Sequence, residues 1–287
     1  ESKERSKYTV VADLPFLFST SNCEHDDQLT FSWQISKVPH SKPTPGQVKY
    51  TFNFAGGLPD TRLFPFKEFR SYMSDAVTRA QYQDLGYSNR AGQPKLIQAF
   101  QTYLRRMRGI NDRDVIVTNG SQEGLYLVSQ LLLDDTSYVA TETLGYPPAW
   151  AAFKSAGATL ITIEQDDSGI IPESLEQQAL KFPIKAIYLT PLHQYPSTVT
   201  LPISRRLAIY QICRKFGIFI IEDDYDHEFH YRSHPLAPMA ADDPDQRIIY
   251  LSTFSKILFP GARTGFLAVP DSLTNDLLNL RSLINHK

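Results

Sequence analysis

From about residue 52 onward, short continuous apolar runs alternate with stretches whose apolar residues return at helical spacing. The runs 115–118 (VIVT), 138–141 (YVAT), 159–163, 186–190 (AIYLT), 218–222 (IFIIE), 248–252 (IIYLS) and 265–269 (GFLAV) have the length of strands. Between them, 122–133, 148–156, 172–181 and 203–216 read as helices. Upstream, 65–79 forms a helix behind LFP. The stretch 92–108 (GQPKLIQAFQTYLRRMR) forms an amphipathic one, with Leu96, Phe100, Tyr103, Leu104 and Met107 on one side. A strand that is apolar along its whole length is covered on both faces. The pattern therefore predicts an α/β architecture, a mainly parallel sheet of seven strands with helices on both faces. Residues 271–287 begin a further helix, and the chain has no internal repeat.

Residues 1–50 differ. SNCEHDDQ and SKVPHSKPTPGQ mix proline, serine and charge without a period, and only LPFLF at 14–18 is apolar. This segment is expected to be an arm or linker, with 51–270 as the main domain. Composition changes the picture little. The 287 residues are 42% hydrophobic and 21% charged with a net charge of −2, so no strongly basic surface for nucleic acid is indicated. Cys23 and Cys213 are far apart and lack CxxC spacing, which implies neither a disulfide framework nor zinc and points to a reducing cytoplasm. No apolar run reaches membrane-spanning length, and ESKERSKYTV lacks a signal-peptide core. The start without methionine reads as a piece of a longer product.

In open α/β sheets, ligands bind beyond the carboxyl ends of the strands. Five predicted strands are followed there by polar or aromatic groups: Asn119-Gly120-Ser121-Gln122, Glu142 to Tyr146, His193-Gln194-Tyr195-Pro196, Glu222 to Asp226, and Thr253, Ser255 and Lys256. Each has a plain alternative. NGSQ can be a helix cap, Tyr146 a packed turn, EDDYDHEFH a solvated acidic loop or a metal site, Lys256 a surface lysine and Arg263 an ion-pair partner. The metal reading is the weaker, because His227 and His230 lack i, i+4 spacing and follow a strand. Taken jointly, the groups describe one ligand. Ser121 opens a helix toward an anion, with Arg263, Ser255 and Thr253 as further donors. Asp223, at the end of a buried strand, wants a cationic partner. Tyr225 faces the same way as Asp223, Tyr146 offers a stacking face, and Lys256 offers a nucleophilic amine. Pyridoxal 5'-phosphate has the phosphate, ring nitrogen, phenolic oxygen and aldehyde that such a set would hold.

At these residues the chain resembles the fold-type-I aminotransferases. More narrowly, it resembles the aminotransferase-like domain of MocR/GabR-type regulators of the GntR group. The resemblance is carried by FAGGLPDTRLFP (54–65), LGYSNRAGQPKLIQAFQTYLRRMRGI (85–110), VTNGSQEGL (117–125), ETLGYPPAW (142–150), TPLHQYPST (190–198), IIEDDYDHEFHY (220–231) and YLSTFSKILFPGARTGFL (250–267). It implies the large domain of a pyridoxal-phosphate-dependent transferase, with Lys256 as the Schiff-base lysine. Asp223 pairs with the pyridine nitrogen and Tyr225 with the ring oxygen, while Tyr146 stacks on the ring. Ser121, Gln122, Ser255 and Arg263 hold the phosphate, and His193 and Gln194 lie near the cofactor. Tyr87 reaches the phosphate of a neighbouring subunit, which implies a homodimer with shared sites. Gly57 lies near the substrate carboxylate.

Two positions depart from the family pattern: no proline precedes Gly145, and Thr198 stands where a glycine usually follows HQYP. The resemblance also implies a smaller C-terminal domain past the helix at 271–287, and a winged-helix DNA-binding unit ahead of the linker. DNA is thus expected to be met only through a domain outside this chain, with no membrane involved. The expected function is an effector domain that senses an amino acid or amine through exchange at Lys256. A catalytic amino acid:2-oxo acid aminotransferase is the alternative, and a cofactor-free structural domain the third reading.

Overall fold

The computed structural model describes residues 59–87, 89–229 and 236–285. The linker expected at 1–50, Gly57 and His230 lie outside them. Helix α1 (Phe66–Arg79) and helix α2 (Pro94–Tyr103) precede strand β1 (Asp114–Thr118). There follow α3 (Ser121–Leu132), β2 (Tyr138–Glu142), α4 (Pro147–Ser155), β3 (Thr159–Ile163), the small hairpin β4 (Gln165–Asp166) and β5 (Gly169–Ile170), and α5 (Pro172–Lys181). The chain continues through β6 (Ile184–Leu189), α6 (Ile203–Phe216), β7 (Phe219–Asp224), β8 (Ile248–Thr253), β9 (Gly265–Val269) and α7 (Asp271–Ile284).

Seven strands form one sheet in the order β1-β9-β8-β7-β6-β2-β3. Strand β9 pairs antiparallel with both β1 and β8, and every other pairing in this sheet is parallel. The reason is local. A parallel pair needs a long crossover, whereas only the loop 254–264 joins β8 to β9. The reversal brings the start of β9 to the same edge as the ends of β1, β2, β6, β7 and β8: Gly265 pairs with both Thr118 and Thr253.

Residues alternate between two layers along each strand. Ile220, Ile248, Tyr250 and Phe266 pack with Phe100, Leu175, Ile209 and Cys213 of α2, α5 and α6. Ile221, Ile249, Leu251 and Leu267 pack with Leu125, Val128, Phe153 and Leu277 of α3, α4 and α7. Each such fully buried aliphatic contributes on the order of 1.5–3 kcal/mol. The seven expected strands and their two covered faces are present, with two differences of detail. Strand β7 runs two residues past the apolar pattern, because Asp223 and Asp224 keep the ladder to Leu251 and Ser252 although their side chains are polar. The expected single helix over 92–108 divides at Tyr103, after which Leu104–Arg108 forms a π-turn. The wider turn shifts the phase of the buried face, so Arg108 turns inward at 3% exposure and Met107 outward at 65%.

Helix α1 buries none of its residues. Its first turn and the segment ahead of it are tied to the 254–264 loop by rings: Phe259 lies 5.0 Å from Phe64 and 5.8 Å from Phe69, centroid to centroid.

The reversed strand sits close against the β1–α3 turn. A Cβ on Gly265 would lie 2.8 Å from the carbonyl carbon of Gly120 and 2.9 Å from the Ser252 carbonyl oxygen. Backbone cannot yield as a side chain can, so Gly265→Ala is expected to destabilise the protein by about 1–3 kcal/mol, read as a lower urea midpoint. Gly261→Ala, whose Cβ would meet nothing nearer than a Phe259 ring atom at 3.6 Å, is expected to leave the midpoint within about 0.5 kcal/mol.

Candidate functional site

One end of the site forms where β1 turns into α3. Gly120 holds φ at +76°, and a Cβ there would lie 2.8 Å from a guanidinium nitrogen of Arg263. Only glycine lets the backbone approach that group so closely. Helix α3 starts at Ser121 without a side-chain cap, so the N–H groups of its first turn and the positive end of its dipole face outward. Arg263 sits in a left-handed turn (φ +46°) and donates from Nη2 to the Asn119 carbonyl at 3.0 Å, which holds its guanidinium beside that helix end. The Ser255 hydroxyl lies 2.8 Å from that of Thr253, which also donates to the Thr264 carbonyl at 3.2 Å. Half-buried Gln122 donates to the Pro148 carbonyl at 3.1 Å, while its buried Oε1 has no hydrogen-bond partner among the described residues. Ser121, Gln122, Ser255 and Arg263 thus gather at one end, suited to an anion.

The other end forms at the close of β7. Asp223 is 4% exposed. Its Oδ2 accepts from the Tyr188 hydroxyl at 2.7 Å, and its Oδ1 is buried with no hydrogen-bond partner among the described residues. Burial pushes its carboxyl up to about 7, against the Tyr188 hydrogen bond, which pulls the other way. Tyr146, the N-cap of α4, is half-buried. Burial and then the nearby Asp223 charge raise its hydroxyl, and Arg263 opposes them, which ties Tyr146 to both ends of the site. Burial likewise raises Tyr225, followed by the charges of Asp226 and Asp223. Between these two rings stands Tyr195, edge-on to Tyr146 at 5.5 Å and to Tyr225 at 6.4 Å.

The two neighbours of Asp223 face the opposite layer. Glu222 accepts from the Met239 and Ala240 N–H groups at 2.8 Å each, and burial raises it to about 7. Asp224 accepts from Arg108 at 2.5 Å and from the Tyr250 hydroxyl at 2.6 Å. Burial alone would raise Asp224, yet His227 and Arg108 hold it below the usual carboxylate range. His227 in turn meets the Tyr103 hydroxyl and Glu228. The acidic stretch is therefore not a solvated loop at these positions: three consecutive carboxylates are buried, and each has its own partners.

The remaining expected residues fall differently. Lys256 is half-buried in the 254–264 loop, which is closed at its base by the Phe254 N–H donating to the Thr264 carbonyl at 2.9 Å. It follows β8, whose Leu251 pairs with Asp223, so the amine and the carboxylate lie on adjacent strands at one edge. His193 pairs through Nδ1 with Asp226 at 2.7 Å, and that hydrogen bond raises its pKa. Gln194 is 2% exposed and turned into its own loop, donating to the Leu144 and Tyr195 carbonyls and accepting from the Ser197 N–H. It braces that loop. Tyr87 is 85% exposed and is not drawn into the site of its own chain. Tyr188 and Arg108 are not among the expected site residues, and Tyr195 and Asp226 are expected only as members of the groups that follow the strands. For Tyr188 the available signal is a lone tyrosine inside the apolar run AIYLT.

The arrangement suits one elongated ligand, with an anionic group at the α3 end, an aromatic body among the tyrosines and a cationic ring atom at Asp223. The orphaned Oδ1 of Asp223 is the strongest sign, because a buried acceptor is normally paired.

No family model matches the chain. It is 33% identical over 88% of its length to a probable rhizopine catabolism regulatory protein, MocR, of Rhizobium meliloti, covering 50% of that protein. Among solved structures, it superposes on a Pyrococcus horikoshii kynurenine aminotransferase in complex with PMP with a TM-score of 0.76 and 30% identity, over 80% of this chain and 59% of that one. For LysN, an alpha-aminoadipate aminotransferase of Thermus thermophilus complexed with N-(5'-phosphopyridoxyl)-L-leucine, the TM-score is 0.72 with 27% identity, over 81% and 59%. The chain spans about half the length of the curated regulators it matches.

The buried acids predict a pH response without added ligand. The folded value of Asp223, about 7, lies above that of the unfolded chain, so its contribution is complete in acid and is lost as pH rises through 7. Glu222 (about 7) and Glu142 (about 8), both raised by burial, have the same sign. The urea midpoint is expected to fall from about pH 4 to about pH 8, from the unfolded values up to the folded ones, and Asp223→Asn to flatten part of that fall. Asp224 has the opposite sign: its contribution is present above the usual carboxylate range and is lost as pH drops through its lowered value. Asp224→Asn leaves Arg108 buried without its carboxylate and is expected to cost about 3–5 kcal/mol at neutral pH.

Proposed function

The chain belongs to the fold-type-I aminotransferase family, and from that premise we infer that it is the pyridoxal-5'-phosphate-binding, aminotransferase-like domain of a MocR-type transcription regulator, reading an amino acid or amine as effector. The observation that carries this is the orphaned carboxylate oxygen of Asp223, set at the same sheet edge as the uncapped α3 terminus and Arg263. When bound, pyridoxal phosphate supplies a carbonyl that condenses with amines and a ring that withdraws electrons. The chain's residues do the rest. The first N–H groups of α3, the Ser121 and Ser255 hydroxyls and the Arg263 guanidinium bind the phosphate. Asp223 accepts from the ring nitrogen and keeps the proton there. Tyr225 donates to the ring oxygen, and Tyr146 covers a ring face. Lys256 would provide the amine that holds the group, and could carry a proton.

Around this site we place a domain over 51–270, the linker at 1–50 ahead of it and the helix from 271 leading out of it. A pair of chains with shared sites is supported by the exposed apolar residues of the segment 63–87. Leu63, Tyr72, Val77, Tyr82 and Leu85 are each more than two thirds exposed there, although α1 has no buried residue of its own. DNA would be met by a domain outside this chain. A catalytic reading is favoured by the likeness to aminotransferases, among them the solved kynurenine aminotransferase at 30% identity. Sustained turnover of an amino donor and a 2-oxo acid by the intact protein decides for it, and a single turnover or none decides for the sensor.

The test is cofactor titration of the intact protein, followed by absorption. Arg263→Ala is expected to weaken pyridoxal phosphate binding roughly 10- to 100-fold, the worth of a charge-assisted phosphate contact. Lys256→Ala is expected to abolish the visible band while keeping much of the affinity, and a band that persists contradicts the lysine assignment. Asp223→Ala is expected to cost more effector response than occupancy, because the phosphate contacts remain. Complete loss of binding in Asp223→Ala, with no effect of Arg263→Ala, would overturn this division of roles.

A further inference from the structure

Each aspartate of the pair closing β7 is reached by one tyrosine from a neighbouring strand. Tyr250 of β8, paired with Glu222, extends one step along the strand to Asp224. Tyr188 of β6, paired with Ile221, extends in the same way on the opposite face to Asp223. The two contacts differ in company. Asp224 is also met by Arg108 and His227. For Asp223, Tyr188 is the one hydrogen-bond donor among the described residues.

On the reading that pyridoxal phosphate binds here, the geometry points to Tyr188 as a positioning residue for Asp223: its hydroxyl fastens one carboxylate oxygen, presents the other to the ring nitrogen, and sets how firmly the carboxylate competes for the proton they share. The tyrosine is itself immobile. It is 2% exposed, lies in a strand paired on both sides, and meets the Phe153 ring edge-on at 5.6 Å. Burial, then the Asp223 charge, raises its own pKa well above the tyrosine range, so it stays a neutral donor. The other charged or titratable groups acting on Asp223 cannot replace it. Asp224 and Asp226 are like charges that raise its pKa further, and Tyr146 feels the Asp223 charge without a hydrogen bond to it. Glu142, at the end of β2, acts on Tyr188 and again has the sign of a like charge. Among the hydrogen bonds of the described residues, the one from Tyr188 opposes burial at this carboxylate. Without it, Asp223 becomes more basic, draws the shared proton away from the ring nitrogen, and leaves the ring a weaker electron acceptor.

Tyr188→Phe tests this, because it removes the hydroxyl and keeps the ring volume. The intact protein is loaded with pyridoxal phosphate carrying nitrogen-15 in the ring. Occupancy, the ring-nitrogen NMR shift and the pH midpoint of the visible band are then measured. At unchanged occupancy, Tyr188→Phe is expected to move the nitrogen signal toward its unprotonated position and to raise the band's midpoint by roughly half a unit or more. Tyr188→3-fluorotyrosine, a stronger donor of the same shape, is expected to move both readouts the opposite way. It also serves as the test if the phenylalanine variant does not fold. Equal occupancy with neither readout moved in either variant overturns the role of Tyr188 and leaves the cofactor reading intact. A wild-type protein that takes up no pyridoxal phosphate and shows no visible band overturns the cofactor reading, and this inference with it.

Discussion

Two successive carboxylates at the end of a buried strand must face opposite layers, and the site depends on how the protein treats them unequally. Asp224 is the more strongly held: Arg108 and the Tyr250 hydroxyl both bond its Oδ2, the His227 imidazole lies 3.3 Å from its Oδ1, and these neighbours keep its pKa low. Asp223 has one oxygen on Tyr188, no cation beside it that offsets its burial, and an Oδ1 without a hydrogen-bond partner among the described residues. An uncompensated buried charge is costly, and the group answers by holding its proton near neutrality. Pinning Asp224 from one side also fixes the strand, and so fixes which way Asp223 points on the other. Arg108 owes its place in that clamp to the π-turn, which rotates it inward where an uninterrupted helix would have presented Met107.

A second constraint is the reversal of β9. Because Gly265 pairs with the ends of both β1 and β8, the loop 254–264 has both its feet at the site edge. Two cations seven positions apart then stand at the same sheet edge, one at each foot of the loop. Lys256 follows β8, beside the strand that carries Asp223, and Arg263 precedes β9, against the start of α3. Had the connection crossed over to a parallel strand, Arg263 would lie at the far edge. Glycines at 120 and 265 permit this closeness, since either Cβ would strike a neighbouring group within 3 Å.

How far the sequence discloses this depends on the range of the interactions. Runs such as AIYLT and IIYLS are legible as buried strands, because covering both faces of a sheet demands unbroken apolarity. The groups following those strands are legible as a site by the same logic. What escapes is whatever depends on partners remote in the chain. Tyr188 meets Asp223 across 35 positions, and Arg108 meets Asp224 across 116. No local pattern announces either contact. Gln194 is visible as a neighbour of the strand end, but only the folded loop turns its amide onto Leu144 and Tyr195. The two extra residues of β7 escape for the opposite reason: their polarity hides a ladder that continues through them.

The half-satisfied carboxylate also couples binding to folding. In the empty protein at neutral pH, Asp223 either carries a proton or bears an uncompensated charge, and both weaken the fold relative to an exposed aspartate. A cationic ring nitrogen at Oδ1 removes that penalty. A ligand that binds only the folded state stabilises it by mass action, and here the gain grows with pH, because the charge being neutralised is more fully present. On the proposed binding mode, an uncharged isostere of the ring would receive the same phosphate contacts at Ser121 and Arg263 but none of this pH-dependent part. Discrimination between the two would then reside in one oxygen atom of Asp223, with the tyrosine on its other oxygen setting the strength of that discrimination.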